Sequence, residues 1–443
     1  MSVMQRVSTR KSVVAIATAA LVLALVMLIA RGDSSKAVAP TPATSVIILS
    51  GDGMGIQQRT AIQYALYGLN ERQPMDALPY TGFLDTISSG PVAVTDSAAG
   101  ATAWSIGKKT INGYTGLGPD KQRVPTLLDI AKQQGKTTAL INDHDVTNAT
   151  LAAFGGPVIN RDWKSVIALK EIHNNKVDIL MGGNEAKWYP PGNPGMIPNT
   201  VPEEDSSEST QGNLVQKAID QGYQYAYDRD TVANLTGPKV LALVQDSAKR
   251  RWEVEKGYKY KDDPHYVPVV DMVKKALDIA DNNPNGFFFA MESDDLDSAG
   301  HEHDVRNVIQ SGKTINDVVK AIQEYRQTNP NVLLIVLADH ETGGMTIEPM
   351  GETNTNSDGD DPIPYWGKKA LNNAGPNGEV PTRSGPVTIK GTSRKFKVDW
   401  TTPEHTGGMI PVTAVGPLAE DLVGVHHNTW VFDVAKRALL GQE

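Results

Sequence analysis

The sequence predicts an α/β protein: a three-layer sandwich with a mostly parallel central sheet, helices on both faces and surface insertions. Three observations carry that expectation. Continuous apolar runs recur along the chain, stretches of helical periodicity separate them, and a polar residue follows each run. Val46-Ile47-Ile48-Leu49 leads into Gly51-Asp52-Gly53, Thr138–Ile141 precedes Asn142, Phe287–Met291 precedes Glu292, and Val332–Leu337 precedes Asp339. Strands buried on both faces read as unbroken apolar runs, the pattern of a parallel sheet covered on both sides. Thr126–Gln134, Val269–Asp281 and Thr314–Gln327 are the helical candidates. In an open α/β sheet, ligands gather at the carboxyl ends of the strands. Asp52, Glu292 and Asp339-His340 should therefore meet at one edge, although three separate strands deliver them.

With 443 residues the chain can bury a large core, as one large domain or two smaller ones. A hydrophobic content of 40%, with 27 prolines and 40 glycines, fits a loop-rich globular enzyme rather than a disordered polymer. The formal net charge of −9 argues against nucleic acid as a partner, because such proteins carry a basic face. It does not exclude an anionic small substrate, since bound metal ions reverse the field locally. There are no cysteines, so disulfides and thiolate metal sites are excluded, and a transition metal must use His, Asp or Glu.

The first 39 residues read as a targeting segment. Arg6, Arg10 and Lys11 precede an apolar stretch from Val13 to Ala30, and small residues follow at Ala37-Val38-Ala39. Export to the periplasm or the outside is expected, with cleavage near Ala39 favoured over an uncleaved membrane anchor through residues 12–30. Residues 40–443 then form the catalytic body. Two stretches read as insertions in it: Trp188–Ser209, rich in Pro, Asn and acidic residues, and Met350–Arg394, which carries Asp358-Gly-Asp-Asp361. That acidic run lacks the spacing of a calcium loop and reads as solvated.

Several short motifs carry chemistry. Ser97, in Thr95-Asp-Ser-Ala-Ala99, lies just before an alanine-rich helical stretch, whose positive end favours a phosphate or oxyanion. The motif alone is equally compatible with Asp96 or Ser97 acting only as a helix cap. Asp297 and His301 stand four apart and share one helical face, close enough to chelate one cation. Asp339-His340 ends a strand, and His405 lies in the glycine-rich Glu404-His-Thr-Gly-Gly408. Each taken alone is as well explained by a structural ion pair or core histidine. Together they form a nitrogen and oxygen donor set that zinc accepts.

Taken in order, Gly51-Asp-Gly-Met-Gly55, Thr95-Asp-Ser-Ala-Ala99, Glu292 with Asp297 and His301, Ala338-Asp-His-Glu-Thr-Gly-Gly344 and Glu404-His-Thr-Gly407 resemble the alkaline phosphatases. The resemblance runs from about Val46 to the C-terminus, outside the insertions, and five motifs in register make it specific. It implies hydrolysis of phosphate monoesters through a phosphorylated Ser97, with broad specificity and a role in phosphate scavenging. By the same resemblance, Asp297, His301 and His405 hold a first zinc, and Asp52, Asp339 and His340 a second. Asp52 also reaches a third site, usually magnesium, with Thr150, Glu292 and the position of Asn148. Arg161 matches the arginine that clamps the substrate phosphate. A homodimer is an expectation of the resemblance only; monomer and dimer both stay open.

The physical chemistry agrees with those roles. A serine hydroxyl is a poor nucleophile until a cation lowers its pKa. Two metals stabilise the attacking and leaving oxygens of an in-line displacement, and a planar guanidinium suits two phosphate oxygens where a lysine offers a point charge. Three divalent cations with Arg161 carry seven positive charges against four carboxylates (Asp52, Glu292, Asp297, Asp339). The remaining three suit a phosphate dianion.

Two positions depart from the family. Asn148 stands where Asp or His is common, and Ser298 where Lys or His is common. Because an amide is a weaker ligand than a carboxylate, weaker magnesium binding and looser phosphate binding are expected. Two rival readings are a phosphodiesterase or sulfatase of the same superfamily and a non-catalytic envelope protein that binds phosphate. Ser97 within Thr-Asp-Ser-Ala-Ala argues against the first, and a complete ligand set against the second.

Overall fold

The computed structural model describes residues 45–197, 207–244, 262–349, 354–355, 362–363 and 384–442. The chain divides into two units, Met1–Thr41 and Pro42–Glu443. The basic residues and apolar stretch expected to direct export lie in the first and the Asp358–Asp361 run in the second, both outside the described residues. No helix among the described residues is long and apolar enough to cross a membrane.

The sheet begins with β1 (Ser45–Gly51), β2 (Tyr80–Asp85), β3 (Thr137–Asp145), β4 (Ile179–Gly183), β5 (Gln224–Ala226) and β6 (Val240–Leu243). It continues through β7 (Phe287–Ser293) and β8 (Val332–Leu337). Short strands follow: β9 (Glu341–Thr342), β10 (Met345–Pro349), β11 (Asn354–Thr355), β12 (Pro362–Ile363), β13 (Val387–Thr388), β14 (Lys395–Trp400) and β15 (His405–Thr406). Two more, β16 (Ile410–Val415) and β17 (Gly424–His427), rejoin the large sheet. Its order is β17-β2-β16-β8-β1-β7-β3-β4-β6-β5. All pairings in it are parallel except those of β16 with β2 and β8.

The central strands β1, β7 and β8 are buried at every residue. Their side chains alternate between two cores. Ile47, Leu49, Phe287 and Phe289 pack with α1 (Ile56–Leu66) on one face, and Val46, Ile48, Phe288 and Ala290 pack with α2 (Ser97–Ile106) on the other. The second face also carries α3 (Leu127–Gln133), α4 (Ala149–Gly155), α5 (Lys164–Ile172) and α6 (Leu214–Asp220). The first face carries α7 (Arg229–Ala233), α8 (Val269–Ala280), α9 (Asp295–His301) and α10 (Val305–Arg326). The last helix, α11 (Trp430–Leu440), returns to the second face. This is the predicted sandwich.

Local chemistry sets the helix ends. A capping box joins Thr126 and Asp129 at the start of α3, and Asp304 accepts from the Arg306 and Asn307 amides at the start of α10. The helix expected over Thr314–Gln327 therefore begins nine residues earlier, at Val305. Gly312 disguises it in the sequence, yet the packing requires glycine: an added Cβ would lie 2.2 Å from Ile62 of α1. The insertions are partly anchored. Trp188 and Tyr189 are core residues, and the Glu185 carboxylate accepts from the Met196 and Ile197 amides. At the end of the second insertion, β13 pairs with β14, which pairs with β10 in a small antiparallel sheet.

Candidate active site

Ser97 opens α2 and is 2% exposed. Asp96, just outside the helix, accepts from the Ala99 amide (2.9 Å) and the Gly113 amide (2.8 Å) and pairs with Arg161 Nη1 (3.3 Å). The capping role thus falls to Asp96. Ser97 keeps its hydroxyl for the cleft, where Oγ lies 3.3 Å from His340 Nε2.

Asp52, Glu292 and Asp339-His340 arrive from the adjacent ends of β1, β7 and β8, as the order of those strands requires. Gly53 has φ +69°, and its amide donates to Asp339 Oδ1 (3.2 Å), which ties two strand ends together. A side chain there would be strained in φ and would meet Thr342 and Asp297. On α9, Asp297 Oδ2 lies 3.1 Å from His301 Nε2. His405 reaches the same place from β15, its Nε2 3.2 Å from that of His301 and 3.6 Å from Asp297 Oδ1.

The other ring nitrogens explain this convergence. His405 Nδ1 donates to the Thr95 carbonyl (3.1 Å), and His301 Nδ1 to the Pro403 carbonyl. Thr342 Oγ1 donates to Asp297 Oδ1 and accepts from His340 Nδ1 (3.2 Å). Each imidazole spends Nδ1–H on the protein and turns Nε2 inward, the arrangement of a ligating histidine. Asp297, His301 and His405 form one potential ligand group, and Asp52, Asp297 and His340 another.

Beyond Asp52 the site changes character. Glu292 is fully buried and accepts from Asn142 Nδ2 (2.6 Å) through Oε2. Its Oε1 and Asp52 Oδ1 find no donor, and the Thr150 hydroxyl lies equally buried beside it. Asp294 joins Asp52 and Glu292 in a third group, all three buried. Asn148 caps α4 through its own Ala149 amide (2.9 Å) and donates Nδ2 to Asp294 Oδ2 (2.9 Å). Buried acceptors without donors are costly, and a divalent cation satisfies them. The donor sets therefore fit bound metals.

The electrostatics point the same way. Burial pushes Asp52 and Glu292 well above the usual carboxylate range, with Asp339 acting next on Asp52 and Asp294 next on Glu292. Burial also raises Asp294. Asp297 and Asp339 are held low against their burial by neighbouring histidines. The Asp297 hydrogen bond lifts His301 to about 9, so a proton sits where a cation fits. Burial lowers Arg161, but Asp96, Asp52 and Asp294 together raise it further, so its charge is secure at this edge.

The expected ligands gather at this edge with two departures: Asp297 rather than Asp339 groups with Asp52 and His340, and Asn148 turns its amide toward Asp294. Asp294 escaped the sequence reading. Its signal was the acidic run Glu292-Ser-Asp-Asp-Leu-Asp297, in which helical spacing selects Asp297 but does not say that residue 294 folds back to residue 52.

Comparison with known proteins gives the family. The sequence pattern of the alkaline phosphatase family matches residues 43–440. Alkaline phosphatase 4 of Bacillus subtilis is 27% identical over 87% of this chain and 86% of its own. Streptomycin-6-phosphate phosphatase of Streptomyces griseus is 28% identical over 94% and 95%. The cold-active alkaline phosphatase of a psychrophilic Shewanella superposes with a TM-score of 0.69 at 25% identity, covering 89% of this chain and 99% of that one. The chain belongs to the alkaline phosphatase family.

Proposed function

We propose that the chain hydrolyses phosphate monoesters by way of a phosphoserine at Ser97. The observation that carries this reading is Ser97 Oγ at the positive end of α2, 3.3 Å from His340 Nε2. Asp297, His301 and His405 would hold one zinc, and Asp52, Asp339 and His340 a second. Asp52, Glu292 and Thr150 would hold a magnesium. A cysteine-free nitrogen and oxygen set suits zinc, and an oxygen-only set suits magnesium. When bound, such cations act as Lewis acids that lower the pKa of a hydroxyl and neutralise phosphoryl charge.

The chain's own groups do the rest. Arg161, aligned by Asp96, grips two phosphoryl oxygens and aims phosphorus at Ser97. The Ser97 Oγ–P bond forms as the ester O–P bond breaks, releasing the alcohol. Water then attacks phosphorus and the serine oxygen leaves, giving inorganic phosphate and the free hydroxyl. The groups named here bind the phosphoryl end, which supports broad specificity. The basic and apolar start of the chain supports action outside the cytoplasm.

The test uses enzyme stripped of metal and assayed on p-nitrophenyl phosphate at alkaline pH, with zinc restored with and without magnesium. Zinc should restore turnover, and Ser97→Ala should lower it by at least ~10⁴-fold without loss of metal. Failure of zinc to restore any turnover, or a fully active Ser97→Ala enzyme, sinks the reading.

A further inference from the structure

Asp52, Glu292 and Asp294 each bring one carboxylate oxygen to within 4.8 Å of the others. All three are buried, and Glu292 Oε1 and Asp52 Oδ1 make no hydrogen bond. The Thr150 hydroxyl is equally buried and lies beside Glu292, within reach of its carboxylate. The amide of Asn148, at the position where the family commonly has a carboxylate or imidazole, is already committed. Its Nδ2 donates to Asp294 Oδ2, and its Oδ1 accepts from the Ala149 amide and from Lys164 Nζ, each at 2.9 Å. Asp294 is fixed from a second side as well. Its amide donates to Asp143 Oδ1 (3.0 Å), and His144 Nδ1 lies 3.3 Å from Oδ2. The contacts to its carboxylate among the described residues thus fall on Oδ2.

We propose that Asp294, not Asn148, supplies the third carboxylate to a hard divalent cation, magnesium or manganese, held with Asp52, Glu292 and Thr150. The inference rests on the three-cation reading above. Three carboxylates and a hydroxyl form an all-oxygen set suited to such a cation. Asn148 becomes the positioning residue that orients Asp294, with Lys164 supplying positive charge behind it. The charge balance also improves. Three divalent cations and Arg161 carry seven positive charges, five carboxylates carry five negative ones, and the remaining two equal a phosphate dianion. The weak magnesium binding expected from Asn148 alone is then reversed.

The experiment reconstitutes the metal-stripped enzyme with two equivalents of zinc and titrates magnesium by calorimetry. Manganese uptake, read from the free-ion electron paramagnetic resonance signal, provides a second measure. Asp294→Asn should weaken the third cation by at least about tenfold with both zincs retained, since even an outer partner of a ligand costs that much. Asn148→Ala should weaken it less, and Glu292→Gln should abolish it. Unchanged magnesium affinity in Asp294→Asn overturns the inference, as does an Asn148→Ala loss equal to or larger than that of Asp294→Asn. Loss of zinc together with magnesium in Asp294→Asn would mark a structural role and also overturns it. If the wild-type enzyme takes up no third cation, the third-site part of the functional reading falls with the inference. Zinc-dependent turnover through Ser97 is judged separately, by the Ser97→Ala comparison.

Discussion

On one side of Asp52 the site is built from imidazole nitrogen and carboxylate oxygen; on the other it is oxygen alone. The histidine side comes from α9, the end of β8 and β15, and its outer part opens to solvent: the His301 side chain is 37% exposed and that of His405 18%, while His340 is fully buried. The oxygen side comes from β1, β7 and the start of α4, where Glu292 is 0% exposed and Thr150 1%. The difference teaches how one pocket would sort the metals proposed for it. Ring nitrogens aimed by backbone carbonyls select a borderline ion, whereas clustered carboxylates in the interior select a hard one.

The largest expected effect separates the two sides outright. His405→Ala should cost the enzyme one zinc and at least ~10²-fold in turnover, with magnesium uptake by the oxygen side preserved. Glu292→Gln should do the reverse, keeping both zincs and losing the magnesium. Metal analysis of the two variants decides it, and loss of all metals from either one would break the comparison.

Acidity should sharpen the contrast to a smaller degree. With Asp297 lifting His301 to about 9, a zinc ion must displace that proton. Without metal the sign is clear: the raised pKa stabilises the fold fully below the ordinary histidine value and less as pH rises through 9. Zinc affinity should therefore climb with pH, by up to about tenfold per unit, and level off above 9. A competition titration between pH 7 and 10 reads this directly, and a flat profile would show that the proton is elsewhere.

The smallest effect serves as a control. Thr126→Ala removes the capping box at the start of α3 and the Oγ1 bond to the Phe154 carbonyl, and should cost about 1–2 kcal/mol in denaturant melts, with metal content and turnover unchanged.

Much of this was legible in the residues. Unbroken apolar runs marked β1, β7 and β8 because both faces of those strands are covered. The polar residues after them marked the edge where a site forms. Asp297 and His301 declared themselves through helical spacing, a local property. Less was legible where partners are distant or patterns weak. The antiparallel strand β16 and the early start of α10 were not marked, the latter because Gly312 reads as a helix breaker until Ile62 is seen against it.

What the sequence determined by itself was the chemistry available: a cysteine-free set of acids and histidines, a serine at a helix start, and an α/β frame with an edge to hold them. Those follow from composition and short-range periodicity. Only the tertiary structure decided which groups face each other. Asp96 takes the helix cap and frees Ser97, the Nδ1 atoms of His301 and His405 find carbonyls and turn Nε2 inward, and Asn148 spends its amide on Asp294. The histidine and Asn148 directions depend on residues far apart in the chain, and Asp96 is held by Gly113 and Arg161 as well as by its local cap bond. Side-chain direction at such contacts is set by the packing of whole elements, which no local pattern encodes.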